Sequence, residues 1–108
     1  MRILLDECLP ARLCRDLSGH EVQTVPRAGW AGVKNGSLLR LIADSGKFDI
    51  FLTMDQNLEF QQNLLTLPIA VLVIEAVSNR IEHLIPLVLN ILRELDHISP
   101  RSLRRVGG

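Results

Sequence analysis

The chain predicts one α/β domain built on a mostly parallel sheet of four or five strands with helices on both faces. Three observations predict it. Short apolar runs of β type alternate along all 108 residues with segments whose leucines and isoleucines recur at helical spacing. The connections between them are short, which favours parallel strands joined by crossover helices. Two of the runs, Asp49-Ile-Phe-Leu-Thr53 and Ile69-Ala-Val-Leu-Val-Ile74, are apolar in consecutive positions, as strands covered on both faces are. A chain of this length buries roughly 60–70% of its unfolded surface, enough for one core and not for two. A single domain over residues 1–108 is therefore expected, with a short basic tail from about residue 100.

Each element has its own signal. Residues 2–5 form a short β-type run that ends in Asp6-Glu7, and Pro10 suits the first turn of a helix. Leu9, Leu13 and Leu17 then repeat on one helical face, and Gly19 ends the helix. Glu21-Val-Gln-Thr-Val25 alternates polar with apolar, as a half-buried strand does, and Pro26 closes it. Residues 27–34 carry two glycines and the only tryptophan, a composition for a mobile loop over a site, with Trp30 alternatively capping the core.

Asn35 suits a helix cap; Leu38, Leu39, Leu41 and Ile42 give the helix an apolar face, and Gly46 ends it. Residues 56–65 are expected to be helical, and residues 69–74 to form the centre of the sheet. Asn79 with Glu82 resembles a capping box, and the apolar pattern from Ile81 to Leu95 continues as a helix that Pro86 must kink or restart. Residues 102–106 are read as a last edge strand.

Composition excludes several classes of function. Twelve basic residues balance twelve acidic ones, so a nucleic-acid partner must be held by a local basic patch and not by the overall field. The apolar run 67–74 falls well short of the roughly 20 residues that span a bilayer. The start, Arg2-Ile-Leu-Leu-Asp6, lacks the features of a secretion signal, and a cytoplasmic location with no membrane association is expected. Aromatics make up 4% and tyrosine is absent, which disfavours single-strand binders that stack bases. Cys8 and Cys14 have neither redox nor zinc spacing and are expected to be free thiols, Cys8 with a pKa raised by Asp6 and Glu7. His20, His83 and His97 fall on different elements without metal spacing.

Sheets of this type bind ligands at the carboxyl ends of their strands. Asp6 and Glu7 follow the first strand there, and Asp55 and Asn57 follow the third. Two carboxylates about 4 Å apart repel by on the order of 4 kcal/mol at an effective dielectric of 20, so such a cluster takes up a cation or a proton. A hard divalent ion such as Mg²⁺ or Mn²⁺ fits oxygen donors, and its bound water can attack a phosphodiester. The plainer alternative is that Asp6 and Asp55 cap the helices after them. Arg80 follows the fourth strand and is either a phosphate contact or a solvated helix start. Arg101, Arg104 and Arg105 either track an RNA backbone or solubilise a tail.

Several segments together resemble the short PIN-like domains, small prokaryotic relatives of the PIN-domain toxin ribonucleases. They are Ile3-Leu-Leu-Asp-Glu7 with Leu9-Pro10, Gly29-Trp-Ala-Gly-Val-Lys-Asn-Gly36, Phe48-Asp-Ile-Phe-Leu-Thr-Met-Asp-Gln-Asn57 with Gln61-Gln62-Asn63, and Ser78-Asn79-Arg80. The resemblance covers most of the chain and implies a PIN-like fold. It also implies a divalent-metal-dependent endoribonuclease, the toxin of a toxin–antitoxin pair, using Mg²⁺ or Mn²⁺.

In that reading Asp6 and Asp55 are the catalytic metal ligands, and Glu7 and Asn57 support the metal directly or through water. Lys34, Asn35, Ser37 and Arg80 are the substrate contacts. Ser37 stands where relatives carry Glu after the Asn-Gly step, and Asn57 is a further departure, so the acidic site is partly degenerate. The implied partners are an RNA substrate, a small antitoxin protein and further copies of the chain.

Two other readings belong to different classes. One is a non-catalytic PIN-like protein that only binds a partner. The other resembles a response-regulator receiver, with acids after strand one, Asp55 after strand three and Ser78 after strand four. A receiver also needs a lysine after its fifth strand, and the two lysines, Lys34 and Lys47, lie elsewhere.

Overall fold

Ile3, Leu4 and Leu5 are all fully buried because the first strand is covered on both sides. In the computed structural model, which describes residues 1–56 and 68–107 and Asn35 by its backbone alone, the elements follow in alternation. They are β1 (Arg2–Leu5), α1 (Leu13–Asp16), β2 (Glu21–Thr24), α2 (Asn35–Ser45), β3 (Ile50–Thr53), β4 (Ala70–Glu75), α3 (Ile81–Leu84), a 3₁₀ turn (Ile85–Leu87), α4 (Val88–His97) and β5 (Leu103–Gly107). The five strands form one sheet in the order β2-β1-β3-β4-β5, and every neighbouring pair is parallel. This is the expected α/β architecture.

Side chains alternate across a strand, so each strand feeds two cores. Ile3, Leu5, Ile50, Leu52, Leu72 and Ile74 pack with Leu13 of α1, with Leu17 just after it, and with Ile91 and Leu95 of α4. On the other face Leu4, Phe51, Val71 and Val73 meet Leu38, Leu39 and Ile42 of α2. Burying each of these side chains is worth about 1.5–3 kcal/mol, which is why the apolar runs lack polar interruptions. No helix among the described residues is long and apolar enough to cross a membrane.

Several details differ from the reading of the sequence. β4 is an interior strand, but the middle of the sheet is β3. Pro86 restarts the helix through the 3₁₀ turn, since proline has no N–H for a helical bond. The capping box does not form: Arg80 occupies the cap position of α3 without a side-chain bond, and Glu82 pairs with Arg80 at 2.5 Å. Asn79 instead donates its amide to the Cys8 carbonyl at 2.9 Å.

α2 begins at Asn35 itself with Lys34 as its cap residue, and Gly46 closes it in the left-handed region, φ 65°. Residues 103–107 pair with β4 in register, so the basic stretch is the edge strand and not a solvated tail. Trp30 caps the core, edge-on to Phe48 with ring centroids 6.0 Å apart. Of the helix expected over 56–65, residues 57–65 lie outside the described residues, as do Gln61, Gln62 and Asn63 of the family resemblance; Gln56 is in a turn.

An ion pair clamps the amino edge of the sheet. Asp49 accepts the Arg2 backbone N–H at 2.8 Å and its guanidinium at 3.1 Å. The guanidinium and then the backbone bond hold the Asp49 carboxyl below its ordinary range. A depressed folded pKa stabilises the protein above the unfolded value, and that contribution disappears as pH falls through the folded one. Asp49→Asn is therefore expected to flatten the acid limb of the stability curve while lowering stability at neutral pH, as measured by urea unfolding across pH 2–7.

Candidate functional site

The chain passes from β1 to β2 on one side and returns to β3 on the other, so β1 and β3 flank the point where the order of the sheet reverses. Open parallel sheets bind ligands at that crevice. Asp6 stands at its mouth. Its N–H donates to the Leu52 carbonyl at 2.9 Å, which extends the β1–β3 ladder one residue past the strand and fixes the side chain at the rim.

Asp6 is 8% exposed, and both its oxygens are engaged. Oδ1 accepts the Glu7 N–H at 2.8 Å, and Oδ2 accepts the Thr53 hydroxyl at 2.6 Å. Thr53 is fully buried, and its Oγ1 also accepts the Asp55 N–H at 3.0 Å. The direction of each bond follows: with its oxygen receiving the Asp55 amide, the hydroxyl gives its single proton to Asp6. One hydroxyl thus joins the Asp6 carboxylate to the backbone of Asp55. Thr53 was absent from the candidates, although a hydroxyl closing an otherwise apolar strand just before Met54-Asp55 is a signal, since buried polar groups are paired.

The surrounding loops are tied to this point. Glu7 accepts the Gly32 N–H on Oε1 at 2.6 Å, which holds the 27–34 loop against the rim. Gly32 has φ 81°, a conformation that favours glycine. The Asn79 bond to Cys8 holds the β4–α3 connection. The Gln56 amide donates to the carbonyls of Met54 and Ile74, at 3.3 and 3.4 Å, and its Oε1 accepts Arg105 Nη1 at 2.7 Å, which joins β3, β4 and β5.

Cys8 lies among Asp6, Thr53 and Met54, and burial pushes its thiol pKa up, with the Asp6 charge adding to the rise. Both cysteines are free, as expected. The cause differs in weight from the sequence reading: burial dominates, and the Glu7 carboxylate is bonded to the loop.

The other candidates are spread more widely. Lys34 and Ser37 are exposed at the start of α2, Ser37 in a shallow groove with Gly36, Arg40 and Leu41. Asn35 is the first residue of that helix. The Arg80 side chain is 70% exposed and paired with Glu82. Asn57 lies outside the described residues.

The donors at the crevice are carboxylate and hydroxyl oxygens, the chemistry of a hard cation. An ionised carboxylate has about four acceptor positions, of which Asp6 uses two, so it retains capacity for a further partner. Among the described residues no group of three or more His, Cys, Asp or Glu comes together as a metal cage. Mg²⁺ that keeps most of its waters needs only one or two carboxylates, the number that Asp6 and Asp55 could offer. Comparison with known proteins finds no matching family model, no similar curated protein and no similar solved structure.

Thr53→Val keeps the shape of the side chain and removes both of its bonds. It is expected to cost about 1–3 kcal/mol in urea unfolding, because the Asp6 carboxylate and the Asp55 amide each lose a partner. Thr53→Ser restores most of that. Parental stability in the valine variant would show that the hydroxyl does not hold the pair.

Proposed function

We propose that the chain is a PIN-like, divalent-metal-dependent endoribonuclease that hydrolyses RNA phosphodiester bonds in the cytoplasm, with a small antitoxin protein as its partner. The observation that supports this reading most is the Asp6–Thr53–Asp55 chain at the mouth of the crevice. One carboxylate held by a buried hydroxyl, with the backbone of a second aspartate anchored to the same oxygen, is a costly arrangement for a cap and suits a site that grips a cation.

In this reading Asp6 and Asp55 hold Mg²⁺ or Mn²⁺. Asn57, two residues after Asp55 in the sequence, would be a neutral oxygen donor, and Ser37 would stand in for an acid at the start of α2. When bound, the ion supplies a water of lowered pKa and neutralises charge on the phosphate. The protein's own groups do the positioning. Thr53 fixes the orientation of the Asp6 carboxylate, as partners behind a ligand commonly do. Glu7 holds the Gly32 loop at the rim and so keeps the start of α2 next to it in the chain. Cys8, with its raised pKa, stays a thiol at neutral pH and takes no nucleophilic part.

A second reading has an observation of its own. The strand order is that of flavodoxin-like sheets, which receiver domains share, and Ser78 follows β4 as a receiver's hydroxyl residue would. Against it, Lys34 caps α2 and Lys47 precedes β3, so neither follows the last strand.

One variant separates the readings. Asp55→Asn should lower Mn²⁺-dependent cleavage of a mixed RNA substrate by about 100-fold or more while leaving the circular dichroism spectrum unchanged, since loss of even a supporting partner costs 10–100-fold. Acetyl phosphate should add no mass to the parent protein. An Asp55-dependent gain of one phosphate would favour the receiver. A parent that neither cleaves nor accepts phosphate would favour the partner-binding protein.

A further inference from the structure

The arginines singled out as RNA contacts are largely engaged within the protein. Arg80 pairs with Glu82, Arg104 with Glu94, and Arg105 with Gln56. A different set stands open. Where α1 meets the end of β2, a pocket of about 490 Å³ is lined by Arg12, Arg15 and Arg27 together with Ala11, Cys14 and Thr24. All three arginines are exposed, and none takes part in an ion pair among the described residues. No carboxylate lines the pocket, although the chain as a whole carries as many acids as bases.

Local structure gathers these charges. The Arg15 N–H donates to the Arg12 carbonyl at 3.0 Å, and residues three apart on such a turn share a side. Arg27 arrives from the other element: its N–H bonds Thr24 Oγ1 at 3.3 Å, which sets the turn after β2. Cys14 and Arg27 line the same pocket, and burial raises the thiol's pKa.

The pocket reaches the carboxyl end of β2 at Thr24. Thr24 is in register with Leu5, and Val25 donates to the Leu5 carbonyl at 3.0 Å, one residue before Asp6. Three like charges around one concavity repel each other. An anion with several charges relieves that repulsion, and guanidinium forks match phosphate oxygens in geometry.

We propose that Arg12, Arg15 and Arg27 form a phosphate-binding pocket that takes the backbone of a single-stranded nucleic acid lying along the rim toward Asp6. The choice of RNA as occupant rests on the ribonuclease reading; the pocket's affinity for phosphodiester backbone does not. Contacts of this kind are independent of base identity and sensitive to salt. They also suit a chain whose few aromatics offer no stacking platform.

The test is fluorescence anisotropy with a labelled twelve-nucleotide oligouridylate in EDTA, where metal-dependent cleavage cannot occur. The parent should bind, with log K falling linearly against log salt. The triple variant Arg12→Gln, Arg15→Gln, Arg27→Gln should bind at least about 10-fold more weakly at low salt, with a slope reduced by about 2, near 0.7 for each lost phosphate contact on a single strand. Arg93→Gln removes a charge on α4, away from the pocket, and should change affinity by less than about 3-fold. Bound oligonucleotide should also slow alkylation of Cys14, read by peptide mass mapping.

A folded triple variant with parental affinity and slope overturns the pocket, whatever the cleavage assay shows. So does a parent that does not bind, or pyrophosphate that binds more tightly than the oligonucleotide. Retained binding together with absent cleavage in Mn²⁺ upholds the pocket and overturns the ribonuclease chemistry.

Discussion

A hydroxyl buried at the end of the central strand has to be satisfied, and the way Thr53 meets that requirement organises the carboxyl rim. Strand β3 has neighbours on both sides and helices over both faces, so Thr53 has no water to turn to. Its proton goes to Asp6 from the strand on one side, and its oxygen receives the backbone of Asp55 in its own loop. The buried carboxylate is in turn kept from being an uncompensated charge. Each group makes the burial of the other tolerable, and the result is two aspartates held by the rigid part of the fold instead of by mobile side chains.

An all-parallel sheet sends the ends of all its strands to one rim, and the connections that start there must be kept apart or tied together. Here they are tied by single polar side chains. Glu7 reaches the loop after β2, Asn79 reaches back from the loop after β4, and Gln56 spans the ends of three strands through Ile74 and Arg105. The opposite end of the sheet carries the Arg2–Asp49 clamp, which is exposed and sensitive to pH. The polar contacts of the molecule thus divide by role: an ordinary surface ion pair below, and a network that fixes loop positions above.

Much of this was legible in the residues. Period-two and period-four patterns placed β1, β2, α2, β3, β4 and α4, because burial on two faces leaves little freedom of composition. Position at the end of a strand picked out Asp6 and Asp55. What escaped was long-range. Asn79 has the local signature of a cap, yet its amide is used by a carbonyl more than seventy residues away. Thr53 reads as one more β-former until its burial is known. Residues 102–106 read both as an edge strand and as a solubilising tail, because Leu103 and Val106 are too few apolar positions to decide between them, and it is the pairing with β4 that does.

Overall neutrality hides a separation of charge that only the fold creates. The acids follow β1 and β3, with Asp6 bonded across to Thr53 at the crevice between them, while Arg12, Arg15 and Arg27 gather on the β2 side of β1. A polyanion approaching this rim meets attraction at one end and repulsion at the other. A divalent cation bound at the acidic end, as proposed, would lower that repulsion, so cation and backbone binding would reinforce each other through simple electrostatics. In the proposed reading, three guanidinia would hold the strand and two aspartates the ion, so that binding and chemistry would fall to separate residues near neighbouring strands.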